Sequence, residues 1–489
     1  MDTKPVENIE NMGTAPGKKT AGRIRKLIAI IAFFAVTFLC VSAVYRVLSW
    51  KDTTGDYISS VKQLEATDKD LIDVAFVGSS HCYCGIGPNF LWEQKGISGF
   101  DMAISGMDKD SAYYNLRNLL KTQSPKVVFV DMFELTYDEH AVDGNIYRNI
   151  LSLPFSADSV RLVMDYAEKD KWADYIARFP IIHTRYRELK KYDFYPFKPN
   201  NYIRGESLTY GAAPVPYPEY AGGEIVPGEL SEKNMLWLER LYELSEKEGF
   251  ELVFMVLPFT SKAEDQRLMD AAAVYASERG IRMLDFNRMR DEIGFDYATD
   301  FVDYTHLNMS GAEKLSTYIA DYLDENFDLP DHRGDPKYRQ WEEDVKYNRI
   351  LDYEFRINNT WALDDIVDLI KPGNVTLAII SLEGNFTGAD TDYYAALSKL
   401  GMEREDYEKG GKWIYENGKL EKVYENVLGA EPYIRELSET DTLQIRYEGD
   451  YNFPDNITIN REYYHNHGAY LGITIYNTAL DRVICMRNY

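Results

Sequence analysis

The sequence predicts an α/β protein: a parallel sheet with helices on both faces, behind one N-terminal membrane-spanning helix and ahead of a C-terminal α/β or β-rich accessory domain. Three observations carry this. From Leu27 to Tyr45 there is no charged residue, enough helix to cross a hydrocarbon core. From Leu71 short apolar runs alternate with amphipathic helical stretches, the rhythm of βαβ units. At 489 residues the chain is too long for one ordinary domain, and "LPDHRGDP" at 329–336 breaks it.

The resulting division is a polar tail over 1–26, the apolar helix over 27–48, a partly helical connector over 49–70, a main domain over 71–328 with an insertion at 140–230, and an accessory domain over 329–489. Lys18, Lys19, Arg23, Arg25 and Lys26 precede the apolar run, and only Arg46 and Lys51 closely follow it. The bias of basic residues puts the N-terminus in the cytoplasm and the rest outside a single-pass cell-membrane protein. A cleaved signal peptide ending near Val41-Ser42-Ala43 is the alternative, but the run is longer than a signal core. A lipoprotein reading of Cys40 fails on the bulky Leu39 before it.

The elements of the main domain follow in order. "LIDVAFVG" is a strand ending at Gly78, "GFDMAISG" a second ending at Gly106, and "KVVFVDMF" a third after the helix "DSAYYNLRNLLKT". Residues 140–230 hold two expected helices and then a stretch rich in proline, glycine and tyrosine. That stretch reads as an ordered, contact-making loop lying over the sheet. "LSEKNMLWLERLYELSEKEG" is a helix with a serine cap and a glycine stop. "FELVFMVLP", a helix near 264–279, "IRMLDF" and a helix from Met309 to about Asn326 complete the unit. Beyond 337 a strand-rich region contains a helix near 363–370 and the strands "NVTLAIISL" and "YLGITIYN".

Composition excludes some functions. The chain is 45% hydrophobic and 27% charged, with a net charge of -25, which argues against general nucleic-acid binding. Four cysteines are too few for a disulfide scaffold, and no CxxC pair points to structural zinc. His81, Cys82 and Cys84 lack a fourth ligand and are expected to pack beneath the turn. "YYHNHG" at 463–468 reads as a polar hairpin turn. No metal or cofactor is expected. The tyrosines between 192 and 220 suit either sugar stacking or packing.

Serine ester chemistry needs an exposed hydroxyl, a base within reach and a group that orients the base. "FVGSSH" offers Ser79 and Ser80 where the first strand turns. Of seven histidines, His332 lies at the boundary, His465 and His467 in the accessory domain, and His140 and His183 in the insertion. His81 adjoins the serines too closely to reach back. His306, in "VDYTHLN", remains, with Asp303 three residues earlier to fix its tautomer.

A Gly-x-Ser turn after the first strand, with Asp-x-x-His before the last helix, resembles the SGNH (GDSL-like) hydrolase superfamily over roughly 71–328. The anchored form is similar to the DltD-like and alginate-acetylation branches. The resemblance implies a three-layer fold, Ser80 as nucleophile, His306 as base and Asp303 behind it, and an oxyanion hole from the N–H groups of Ser80 and Gly106. Ser79 replaces the family's usual aspartate. The third family block supplies an asparagine, whereas "VVFVDMFEL" offers Asp131 and Glu134, so one oxyanion donor is missing or supplied elsewhere. "DDIVDLIKPGNVTLAIISL", "LSKLG", "GGKWIYENGK" and "GITIYN" weakly resemble the interleukin-like EMT inducer lectin-like domain, implying glycan binding. The expectation is a bacterial serine esterase or O-acyltransferase acting on acyl esters of a cell-envelope glycan or polymer. A membrane-bound acyltransferase is an expected partner. The alternative is a catalytically degenerate surface glycan-binding or scaffold protein.

Overall fold

A computed structural model describes residues 18–49, 58–137, 146–195, 204–209, 211–217, 223–370, 376–383, 393–447, 455–464 and 470–489. The chain forms two compact units, Met1–His332 and Arg333–Tyr489.

The first unit opens with α1 (Lys18–Leu48), long and apolar enough to cross a membrane and unburied over its apolar window. After α2 (Ile58–Ala66) comes a parallel sheet of β1 (Val74–Gly78), β2 (Gly99–Ala103), β3 (Val127–Asp131), β4 (Glu251–Val256) and β5 (Arg282–Asp285). Its order is β2-β1-β3-β4-β5, and every pairing is parallel. Because side chains alternate across a strand, Phe76, Phe129, Val253 and Met255 share one face. There they pack with Leu315 and Ile319 of α13 (Met309–Asn326) and with residues of α3 (Ser80–Gly85) and α4 (Pro88–Lys95). The other face takes α5 (Lys109–Leu119), α10 (Glu232–Glu248) and α11 (Ala263–Arg279). Phe254 of β4 stacks on Tyr275 of α11 at 6.4 Å. The result is the expected three-layer α/β unit.

Capping follows the sequence. The Ser231 hydroxyl accepts from Asn234 N–H, and Gly249 closes α10 in the left-handed region, as the serine and glycine signals predict. Two local readings need correction. The turn after β1 is not loop: Ser80–Gly85 is helical, although "SHCYCG" carries little helix propensity, and five of its six residues are buried. Tertiary packing overrides propensity there. Among its described residues the insertion holds not two helices but four short ones, α6 (Ile146–Leu151), α7 (Ala157–Tyr166), α8 (Trp172–Ala177) and α9 (Phe179–Ile182), with 3-10 turns at Lys169–Lys171, His183–Arg187 and Lys191–Phe194. Pro154, the capping box of Ser156 and Pro180 divide the stretch. The short helix α12 (Arg290–Ile293) follows β5.

In the second unit β6 (Thr376–Leu382), β7 (Gly411–Glu416), β8 (Lys419–Tyr424), β13 (Leu471–Asn477) and β14 (Arg482–Asn488) form an antiparallel sheet of order β14-β13-β6-β7-β8. A second sheet joins β9 (Tyr433–Glu436), β10 (Thr442–Tyr447), β11 (Asp455–Ile459) and β12 (Glu462–Tyr463). The larger sheet is buried on both faces. Leu377, Ile379 and Tyr476 meet Leu443, Ile445 and Ile457 of the smaller sheet. Ala378, Ile380 and Ile475 meet the helices α14 (Arg339–Asn359), α15 (Leu363–Ile370), α16 (Tyr394–Ser398) and α17 (Arg404–Lys409). The 21-residue α14 is missing from the sequence reading, because two of its five buried positions are aspartates, Asp344 and Asp352, which interrupt the apolar spacing. The turn at 463–468 falls largely outside the described residues, as do His140, His465 and His467.

Candidate active site

Gly78 ends β1 where a side chain would not fit: a Cβ there would lie 2.9 Å from Asp131 Cβ and 3.0 Å from Cys82 Cβ. The chain can therefore turn tightly into α3. Ser79, extended and buried, precedes Ser80 at the first position of that helix, where Ser80 remains half-buried. A first-turn N–H has no partner within its own helix.

His306 reaches this serine from 226 residues away. Its Nε2 lies 2.7 Å from Ser80 Oγ, and its Nδ1 lies 2.9 Å from both carboxylate oxygens of Asp303. The arrangement fits the tautomer with Nδ1–H donating to Asp303, which leaves the Nε2 lone pair for the serine hydroxyl. Asp303 also accepts from the Thr305 and His306 backbone N–H groups at 2.8 and 3.0 Å and from the Thr305 hydroxyl at 2.9 Å. Burial alone would raise its pKa, but the Thr305 N–H and the His306 ring outweigh it and hold the carboxyl below its ordinary value.

The loop that carries the pair is a tight one. Phe301 bridges Leu307, and Val302 N–H donates to His306 O at 3.0 Å. Buried Asp300 anchors its base, accepting from Lys314 Nζ at 2.6 Å and Ser310 Oγ at 2.9 Å. Residues 204–209 and 211–217 run beside it. Ser207 N–H donates to Tyr83 O, Met309 N–H to Thr209 O, and Ala213 N–H to Phe301 O. Gly205, at φ +86°, passes so close to β2 that a Cβ would overlap Asp101 O. The described part of the proline-rich stretch is thus an ordered strap on both halves of the site.

His81 does not bond the serine as a base. It is buried, stacked on Phe133 at 3.6 Å and edge-on to His306 at 5.3 Å. Burial, then His306, pushes its pKa well down, so it stays neutral. Burial pushes the Cys82 and Cys84 thiols up, Cys84 to about 12. Both thiols are buried, and neither is held as a free thiolate. Among the described residues no group of His, Cys, Asp and Glu is arranged to hold a metal ion.

Gly106 stands at φ +64° in the turn after β2, a turn whose Ile104 N–H donates to the Gly78 carbonyl. After β3 the chain enters Met132–Thr136, where Phe133 covers His81 and Glu134 lies against Ser79. No asparagine occurs in that turn. Burial raises Asp131 to about 7 and holds Glu134 well above its ordinary value. An asparagine does reach this side of the site, from the insertion. Fully buried Asn149 on α6 donates its amide to Gly106 O at 2.9 Å and accepts from Asp108 N–H at 2.9 Å. Beside it Arg148 donates to Ser105 Oγ at 2.9 Å. Sequence reading missed both residues. They stand outside any motif, and only the path of the insertion brings them to the Gly106 turn.

No protein-family model matches the chain, and no curated protein matches it. Among solved structures it is similar to a protein from Desulfitobacterium hafniense provisionally assigned as a lipolytic protein of the G-D-S-L family, at 11% identity and TM-score 0.28, covering 51% of this chain and 98% of that one. It is also similar to a protein provisionally described as an acylhydrolase from Bacteroides fragilis, at 12% identity and TM-score 0.26, covering 57% and 98%. A third is an acetyl xylan esterase from the rumen bacterium Butyrivibrio proteoclasticus, at 7% identity and TM-score 0.23, covering 52% and 64%. At these values the likenesses carry no conclusion about activity.

Proposed function

We propose that this chain is an SGNH-type serine esterase or O-acyltransferase, held at the outer face of a cell membrane by α1 and acting on acyl esters of a cell-envelope glycan or polymer. The observation that supports it best is the chain of contacts Ser80–His306–Asp303, with a 2.7 Å hydroxyl-to-imidazole contact. Ser80 Oγ attacks the ester carbonyl while His306 Nε2 takes its proton. The N–H groups of Ser80 and Gly106 stabilise the oxyanion. Collapse of the tetrahedral adduct breaks the ester bond, and His306 returns the proton to the leaving alcohol. Asp303 stabilises the imidazolium in between. The acyl-serine is then taken by water, giving hydrolysis, or by a sugar hydroxyl, giving transfer. A membrane-bound acyltransferase is the partner that would feed the transfer version. The lectin-like resemblance of the second unit fits a glycan-holding role.

The turn after β3 favours a second reading, because the third-block asparagine is absent from it. Loss of one oxyanion donor costs on the order of 10²–10³ in rate, and a chain without a substitute would be a glycan-binding scaffold. The test is to give wild type and Ser80→Ala an O-acetylated glycan with an unacetylated acceptor. The expected result is acetate release or acetyl transfer by wild type alone. Equal background from both proteins, with the glycan still bound, would leave the scaffold reading.

A further inference from the structure

The end of α1 is not a loose tether. From Ile24 to Val44 every side chain but that of half-buried Ser42 is exposed, and burial begins in the last turn, where Leu48 is only 7% exposed. The partner is the insertion. Arg185, 5% exposed, donates to the carbonyls of Val47, Leu48 and Ser49 at 3.3, 3.4 and 2.9 Å. Those carbonyls are ones a helix C-terminus leaves without intrahelical partners, and a cation suits that end of the dipole. Arg185 is held in turn by buried Asp193 at 2.6 Å, which also accepts from Lys190 N–H. Helix α9 and both 3-10 turns after it touch α1.

The surface beside this junction is aromatic. Phe155, Phe179, Tyr186, Phe194 and Tyr195 are 70, 43, 59, 62 and 56% exposed. Arg178 lies over the Phe155 ring at 5.7 Å and donates to Leu153 O, joining that ring to the same corner. Residues 178–195 carry five basic side chains against two acidic ones, in a chain of net charge -25; with Arg178, Arg185 and Asp193 buried, the exposed ones are Arg187, Lys190 and Lys191 against Glu188. Exposed aromatics flanked by lysine and arginine are the composition of a lipid interface, and basic residues there are drawn to anionic headgroups.

We propose that residues 146–195 form a platform that rests on an anionic lipid surface where α1 leaves the bilayer. This rests on the reading that α1 spans a membrane. The buried arginine fixes the exit of the span against the platform, so the aromatic surface stands at headgroup level. The same insertion holds the Gly106 turn through Asn149, and one small core, including Ile150, Leu153, Leu162 and Tyr166, lies between the two ends. Seating on lipid and shaping of the oxyanion side are therefore tasks of one segment.

The test uses the full chain in phosphatidylcholine–phosphatidylglycerol nanodiscs, with a fluorophore on one cysteine at a time. Native Cys40 is exposed on α1, whereas Cys82, Cys84 and Cys485 are buried. Labelled Cys40 is read against acyl-chain spin-labelled lipid. In a Cys40→Ala background, Phe155→Cys, Phe194→Cys and, as control, exposed Glu278→Cys are read against headgroup-labelled lipid. The expected result is loss of emission at 40, 155 and 194 but not at 278. Quenching at 40 with none at 155 and 194 beyond the control would overturn the platform and leave the anchor standing, and a protein partner would then be the better occupant of the aromatics. An unquenched Cys40 would overturn the anchor and the platform with it.

Discussion

The two sides of the candidate site are built differently. The proton-transfer side is local: Asp303, Thr305 and His306 bond one another within four residues, and their loop is pinned by Asp300 at its base. The proposed oxyanion side is assembled from a distance. The Gly106 turn is held from outside by Asn149 and Arg148, side chains of an insertion more than forty residues on. A short motif suffices for the first, and only a folded insertion can supply the second.

The largest effect should come from the proton-transfer side. Asp303→Asn keeps the shape but favours the wrong imidazole tautomer, and kcat should fall roughly 10²–10⁴-fold. Asp303 is half exposed, so solvent should keep the loss toward the lower end. Steady-state kinetics on a short acyl ester measure it. A loss smaller than tenfold would mean that His306 is oriented by something else.

On the other side, Asn149→Ala removes the hydrogen bonds to Gly106 and Asp108, among others, inside the core. It should lower kcat by about ten- to a hundredfold, with KM and the pH profile little changed, because His306 is untouched. It should also cost ~2–3 kcal/mol of stability. A normal kcat at full folding would show that the Gly106 turn needs no outside support.

A third effect concerns pH and leaves the chemistry untouched. Asp131 sits between the two sides, and burial raises its folded pKa to about 7. An unfolded aspartic acid ionises near pH 4. Between these values the folded state keeps a proton that the unfolded state has lost, so stability falls as pH rises from about 4 to 7 and levels off above. Asp131→Asn should flatten that slope, by at most on the order of 4 kcal/mol, in denaturant melts across the range. An unchanged slope would place the titration elsewhere.

What was legible in the sequence follows the same division. Strand and helix order in the first unit could be read because continuous apolar runs mark buried parallel strands, and the caps at Ser231 and Gly249 mark α10. Ser80, His306 and Asp303 could be named because each stands at a fixed offset from a strand end or helix start, and the fold brings them together. Asn149 could not, since nothing local distinguishes it from any asparagine in a helix. The helical state of "SHCYCG" was hidden because packing, not propensity, sets it. The same holds for α14, whose buried aspartates mask its inner face. The proposed platform had no periodicity to read: its aromatics are scattered in sequence over short helices broken at proline.

The central claim is that His306 activates Ser80 as a nucleophile, and it is tested most directly by active-site labelling with a fluorophosphonate. Intact-mass analysis of the full chain should show one adduct, mapped by peptide sequencing to Ser80, absent from Ser80→Ala and strongly slowed in His306→Ala. Labelling that is equal in all three proteins, or an adduct on another residue, would contradict it.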